Sequence, residues 1–425
     1  MQTYHENAKE LPIAGEYDVI VAGSGPAGTA AAVMAGRMGA KVLIIEWNNA
    51  IGGISTSGMM SHWTGSVTSP MYTEILQRSA DMNEGEQKGK IQQFINPENL
   101  KTVYLGMLKD ANVDVLLYTF VCGVVMEGDQ LTGVITESKS GRRVFRSKVV
   151  VDGTGDGDVA AFAGVEYHKG RESDGKMQPT TLMFKVAGVD MSRAVLLGSF
   201  ESTYQTEKGE LQALAKEHIP YPAGHLLAYK STLPGIVTCN MTNCTDIDGT
   251  KAEDLTRAEI VCRSQMPAIV KYLREFVPGF ENCYIISAGS MMGVRETRHF
   301  KGMYTLNEND ILTAKVFDDW VVRGAHFNFD VHNMTGSGLD ATGVQKHWAQ
   351  PKGYTIPYGC LVPEKINGLL LSGRNISGTH IAHSNYRVMP ICVGIGAAAG
   401  VAAATAIKKG VQVRDIKGEE LQDRL

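Results

Sequence analysis

Paired cysteines are missing from this chain. Seven cysteines are spread over 425 residues, at 122, 239, 244, 262, 283, 360 and 392, and no two form a Cys-x-x-Cys. That spacing speaks against a disulfide framework, and no metal site or iron–sulfur cluster is expected. Cys239 and Cys244 stand five apart, too far for the redox pair that a flavin–disulfide reductase needs beside its cofactor. An excess of basic charge is missing too. Lys and Arg number 41 against 45 Asp and Glu, a net charge of -4, so no nucleic-acid partner is expected. There is one long uncharged run, Val388 to Ile407, built mostly from Ala, Gly and Val and containing Pro390. Its transfer free energy is weak for a bilayer span, so it reads as a buried, closely packed helix with no membrane partner. The N-terminus lacks a basic stretch followed by an apolar core, which makes the cytoplasm the expected location. Internal repeats and low-complexity linkers are also lacking.

Glycine, by contrast, is abundant, with 47 residues against a usual share of about 7%. Much of it sits in loops that follow apolar runs. The clearest case is Tyr17-Asp-Val-Ile-Val-Ala22-Gly23-Ser24-Gly25-Pro26-Ala27-Gly28, followed by Lys41-Val-Leu-Ile-Ile-Glu46. Gly23 permits the turn, Gly25 lets backbone amides approach a pyrophosphate, and Gly28 lets helix and strand pack closely. The helix start attracts phosphate oxygens. Glu46 lies about twenty residues past the middle glycine, where a carboxylate accepts hydrogen bonds from a ribose. Together these mark a dinucleotide site, and Trp47 and Val121 join its candidate residues.

Further along, a helix is predicted over 97–111, opened by Pro97 and Glu98. Four β-like runs follow, at 113–119, 121–126, 131–136 and 143–151, and read as an antiparallel meander crossing over a Rossmann sheet. The last runs into Asp152-Gly153-Thr154-Gly155-Asp156-Gly157-Asp158, with a helix beginning near Val159. From about 165 to 350 the alternation of strand and helix is lost, with a strand expected over 180–186 and an amphipathic helix over 255–276. It returns at Gly368-Leu-Leu-Leu-Ser-Gly373-Arg374. The fold class is therefore α/β. A three-layer Rossmann domain spans 1–164 and 353–425, and a mixed α+β substrate or cap domain spans 165–352.

Three glycine-rich loops at strand ends converge in such a sheet. One suits NAD; three suit the longer FAD. Gly52, Gly53, Ser55 and Thr56, in a loop rich in amides and hydroxyls, would wrap the pyrophosphate and ribityl chain. Gly394 and Gly396 are read as opening a helix whose dipole faces a reduced flavin, or as allowing tight helix packing. On these residues the chain resembles the FAD-dependent oxidoreductases with a glutathione-reductase-type FAD domain. The resemblance rests on the first glycine motif with Glu46, on Gly52-Gly53, and on the Asp152 to Asp158 run. It continues through Gly293-Val-Arg295-Glu296-Thr-Arg298, Ile356-Pro-Tyr358, Ser372-Gly373-Arg374-Asn375 and Gly394-x-Gly396-Ala-Ala-Ala-Gly400. It implies FAD as cofactor and redox chemistry at the flavin, and leaves the substrate and the electron partner open.

Such chemistry needs a base for the substrate proton and cations for an anionic group. His380, His383 and Arg387 lead the candidates, because their position is typically near the isoalloxazine ring in this fold. His62 follows the Gly52 loop, as a base or an attachment point for flavin. Arg295 and Arg298 would share a helix face as an anion clamp, or diverge in an extended segment, or pair with acids such as Glu296. Asp330 and His332 would share a strand face. Tyr358 is a candidate hydrogen-bond donor to a carbonyl. Each histidine has a competing reading as a core side chain bonded to a carbonyl. The rival functions are thiazole-synthase-like chemistry on a bound dinucleotide and a tRNA-modifying flavoprotein.

Overall fold

A computed structural model describes residues 2–340 and 353–425; the expected domain boundary at 352/353 falls at the edge of residues outside that set. Its main sheet has seven strands. The order runs Val113–Leu116, Val42–Ile45, Ile13–Ala22, Arg143–Asp152, Gln130–Ser138 and Thr119–Glu127, with Leu369–Leu371 also beside Arg143–Asp152. The first four strands pair in parallel. Their apolar runs are continuous rather than alternating because central parallel strands are covered on both faces: Val19 to Ala22 are fully buried.

The strand Arg143–Asp152 divides its far edge between two partners. Residues 143–146 pair antiparallel with Gln130–Ser138, while 150–152 pair in parallel with Leu369–Leu371. The meander therefore leaves the sheet halfway along, and the C-terminal strand takes its place just before the Asp152 loop. The α/β class read from the sequence is thus observed, with one correction. The run from Val113 stops at Leu116 as a parallel edge strand, and Tyr118, at a φ of 53°, breaks the chain before the meander starts at Thr119.

The helix expected over 97–111 is found at Pro97–Asp110, capped by the Asn96 side chain. The strand expected from Thr180 starts at Phe184, and the long helix starts at Ala252. The apolar C-terminal run is the helix Met389–Lys409, whose first turn contains Pro390. It is long and apolar enough to cross a membrane, yet 89% of its most apolar window is buried. It packs on the helix Pro26–Arg37, on the main sheet, and on a second sheet of Tyr354–Pro357, Trp320–His326 and Ser66–Thr68.

Among the described residues, two hydrophobic cores result. The larger joins the main sheet to these helices and also takes in Phe300, Leu306, Ile311, Val321, Val322 and Phe329. The smaller runs from Leu182 to Cys283 and lies on one face of a four-stranded sheet. Its strands, in order, are Ala228–Lys230, Val237–Cys239, Phe184–Ala187 and Tyr284–Ala288.

Candidate active site

The first glycine turn has the geometry of a phosphate cradle. Gly25 caps the helix Pro26–Arg37, and a Cβ on Gly25 would meet nothing within 4 Å. The amides of Ala27 and Gly28 in the first turn have no partner inside the helix. A Cβ on Gly28, in contrast, would overlap the Gly23 carbonyl, so this helix and strand approach too closely for any other residue. Gly52 donates to the Ser24 carbonyl at 2.8 Å, and Gly53 lies against Gly25. Gly373 faces Ala27 from the third loop, where the buried Ser372 Oγ has no partner. Open space, free amides and an unpartnered hydroxyl fit a bound dinucleotide.

Other parts of the cradle are spoken for within the chain. Glu46 accepts from Ser24 N and Ser24 Oγ at 2.9 and 2.6 Å, and from Asn48 N at 2.9 Å, so only its remaining lone pairs can serve a ribose. Ser55 and Thr56 donate their hydroxyls to Gly52 and Ile51 carbonyls, and the Gly52 loop therefore offers amides rather than hydroxyls. Val121 is buried in the meander, and Trp47 is exposed beside Glu46.

The acidic loop also differs from the expectation. Asp152 caps the short helix after it, accepting from Thr154 and from Ala160 N, and burial raises its carboxyl to about 6. Asp156 accepts from Arg374 Nη2 at 3.0 Å and from Thr297 Oγ1 at 2.9 Å. Gly153 lies against Gly28, and Gly155 against Arg374. The loop thus ties the first glycine turn to the segment around 295–298, with Asp156 committed to Arg374. Gly394 and Gly396 need correction as well: the helix starts at Met389, and both lie inside it. A Cβ on Gly396 would overlap the Ala27 carbonyl, and one on Gly394 would press on Val67 and Val322. Both allow close packing, the second of the two readings.

The catalytic candidates fall into two adjoining clusters. In the first, Glu296 Oε1 accepts from His299 Nε2 at 2.8 Å and from His380 Nδ1 at 2.5 Å, while Oε2 accepts from Gln178 N at 3.1 Å. Burial pushes the Glu296 carboxyl up, but the two histidine bonds outweigh it and hold it well below the usual carboxylate range. These three side chains have the ligand types of a metal site. Two ligands on one zinc ion would stand about 3.3 Å apart, given bonds of about 2.0 Å in a tetrahedron. Separations of 2.5 and 2.8 Å are those of hydrogen bonds. His383 packs edge-on to His299 and Tyr386, with Nδ1 buried and unpartnered; burial holds it far below the ordinary histidine value.

Gln178 links this cluster to the second, because its Oε1 accepts from His332 N at 3.1 Å. There Asp330 Oδ2 faces His332 Nε2 at 3.2 Å and accepts from Arg387 Nη2 at 2.8 Å. Asp330 and His332 meet as expected, but outside any strand: the strand Trp320–His326 ends before them, and the contact is their direct bond. Burial raises the Asp330 carboxyl, and His332, Arg387 and Arg295 together pull it well below its ordinary value. Burial, aided by the Arg295 charge, takes His332 down to about 4. Arg295 donates through Nη1 to the Pro179 carbonyl and Thr181 Oγ1 at 2.6 and 2.8 Å, and burial lowers it to about 10. The segment around it is not helical, so Arg298 points elsewhere and pairs with Asp158 at 2.8 Å.

The walls of this second cluster went unread in the sequence. Phe200 stands edge-on to His225 and His332, at 5.0 and 5.4 Å between ring centroids. His225 gives Nε2 to the Asn240 carbonyl at 2.9 Å and leaves Nδ1 buried without a partner. Tyr229 lies 4.8 Å from His62, whose ring nitrogens meet Ser61 and Thr64 hydroxyls; burial lowers His62. Tyr229, Thr238, Lys185 and Ser287 lie side by side across the smaller sheet, on the face away from its core. Lys185 is 7% exposed and makes no hydrogen bond or ion pair among the described residues. A lysine between Phe184 and Val186 was the one local signal for this face.

Tyr358 is the remaining candidate, and it belongs elsewhere. Its hydroxyl donates to the Val413 carbonyl at 2.7 Å inside the core, pinning the C-terminal segment.

The profile of the family described as FAD dependent oxidoreductase matches residues 18–425. Over 198 residues, 42% of this chain, the sequence is 25% identical to digeranylgeranylglycerophospholipid reductase 1 of Methanococcoides burtonii, and the match covers 47% of that protein. The chain thus spans about half the length of the curated relative it matches. Its fold is similar to that of a geranylgeranyl bacteriochlorophyll reductase-like protein from Thermoplasma acidophilum. The TM-score is 0.50 at 13% identity, covering 96% of this chain and 82% of that one. The p-nitrophenol 4-monooxygenase PnpA of Pseudomonas putida gives a TM-score of 0.48 at 12% identity, covering 94% and 82%.

Proposed function

The chain belongs to the FAD-dependent oxidoreductase family, and on that footing we propose that it oxidises or reduces a small organic molecule with His332 as acid–base group. Bound FAD supplies the redox chemistry, accepting or giving a hydride at the flavin N5. The chain's own part is to orient the substrate and to move its proton. The observation that carries this reading is the Asp330–His332 pair. A carboxylate holding Nε2 fixes the tautomer and leaves Nδ1 as the working atom. His332 is neutral at pH 7, as a base must be before it acts.

His380 is held by Glu296, and His62 by two hydroxyls, which favours positioning roles for both. The unit around the smaller core is read as the cover: the polar face of its sheet carries Tyr229 and Lys185, and Tyr229 lies against His62. The test is an anaerobic screen of a metabolite panel for bleaching of the flavin's visible band. A compound that bleaches the wild type and fails with His332→Asn, while dithionite still reduces both, supports the reading. Equal rates in the two proteins would sink it.

A further inference from the structure

We infer that the substrate carries a carboxylate and that Arg295 binds it. The inference rests on the reading of this cluster as the substrate site and goes on to name the chemical class that enters. The charges around His332 do not balance. Arg295 and Arg387 bring two positive charges and Asp330 one negative, and Arg387 already holds Asp330 at 2.8 Å. Arg295 has only neutral acceptors, the Pro179 carbonyl and the Thr181 hydroxyl, and no carboxylate within ion-pair distance among the described residues. Glu296, its neighbour in sequence, is consumed by His299, His380 and the Gln178 amide. No nearby histidine supplies an anion, since histidine is at most neutral or positive.

The spare donors point the same way. Arg295 makes both its bonds through Nη1, which leaves Nε and Nη2, the edge that meets a carboxylate with two parallel hydrogen bonds. Arg387 Nε and Gln178 Nε2 are buried with no partner. Gln178 is 1% exposed and held at both ends, by Glu296 and by His332, so its free amide is fixed in direction. A half-buried guanidinium with no directly paired carboxylate among the described residues keeps a charge that an arriving carboxylate would neutralise. Phe200, edge-on to His332, gives the site an apolar wall, which suits a carboxylate on an apolar body.

The test is titration calorimetry on the FAD-loaded enzyme with acetate and benzoate, against acetamide and benzamide as uncharged isosteres. At least one carboxylate should bind about tenfold or more tightly than its amide, and Arg295→Gln should remove that preference. Arg295→Lys, which keeps the charge but not the fork, should fall between the two. Failure of both carboxylates to bind, amides that bind as well, or an unchanged preference in Arg295→Gln would each overturn the inference. If Arg295→Gln does not retain FAD, the wild-type comparison and Arg295→Lys decide alone. A preference that depends on Arg295, found together with full turnover in His332→Asn, would remove the acid–base reading and leave the carboxylate site standing.

Discussion

Arg387 donates to Asp330 through Nη2, to the side chain and to the main-chain carbonyl, both at 2.8 Å. One carboxylate thereby neutralises one guanidinium and orients His332 with the same oxygen. Taking that charge away leaves the positive charges of Arg387 and Arg295 together in a half-buried site. Asp330→Asn should cost about 1–2 kcal/mol of stability, less than for a fully buried pair because the Asp330 side chain is 26% exposed. Thermal melts should show the loss, and benzoate should restore part of it by serving as the missing anion.

Acid should weaken the fold through its buried histidines. Burial lowers His225 to about 4, from an ordinary value of 6.5, so the unfolded chain takes up its proton first. The stability from His225 is complete above about pH 6.5 and is lost as pH falls toward 4, on the order of 3 kcal/mol. His332 works in the same window. Melting temperatures measured from pH 7 to pH 4 should fall, and His225→Gln should flatten part of that slope.

Two glycines of the nucleotide site should respond in opposite ways. Gly25→Ala adds a methyl to open space on an extended backbone, so the apoprotein should melt within about 0.5 kcal/mol of wild type. That methyl takes room the pyrophosphate needs, and the purified protein should carry less FAD. Gly396→Ala drives a methyl into the Ala27 carbonyl and should cost about 1–3 kcal/mol with or without cofactor. Melts of apo and FAD-loaded protein separate the two effects.

The same contrast shows what the sequence could reveal. Gly23 to Gly28 were readable because turn, helix start and strand are local, and each glycine has one job there. Gly394 and Gly396 sit in a run where packing and dipole readings look alike, and only the neighbouring helix distinguishes them. For Arg295 and Arg298 the spacing allowed either a shared helix face or divergence; the segment is not helical, and they diverge to Thr181 and Asp158. The partners that build the site stand far apart in the chain: Gln178 with Glu296 and His332, Phe200 with His332, Tyr229 with His62. No periodicity encodes such pairs. Lys185 was legible in principle, as a charge inside an apolar strand.

Tyr358 should be dispensable for chemistry. Tyr358→Phe loses the bond to Val413 and about 1 kcal/mol of stability, a small drop in melting temperature. Steady-state turnover should match the wild type.

The most direct measurement is the anaerobic single-turnover rate of flavin reduction by a substrate, recorded across pH for wild type and His332→Asn at equal FAD content. The wild type should lose rate as pH falls, as His332 takes on a proton. His332→Asn should be slower by about a hundredfold or more at neutral pH and lack that limb. A variant that reduces as fast as wild type, with the same pH profile, would contradict the role given to His332.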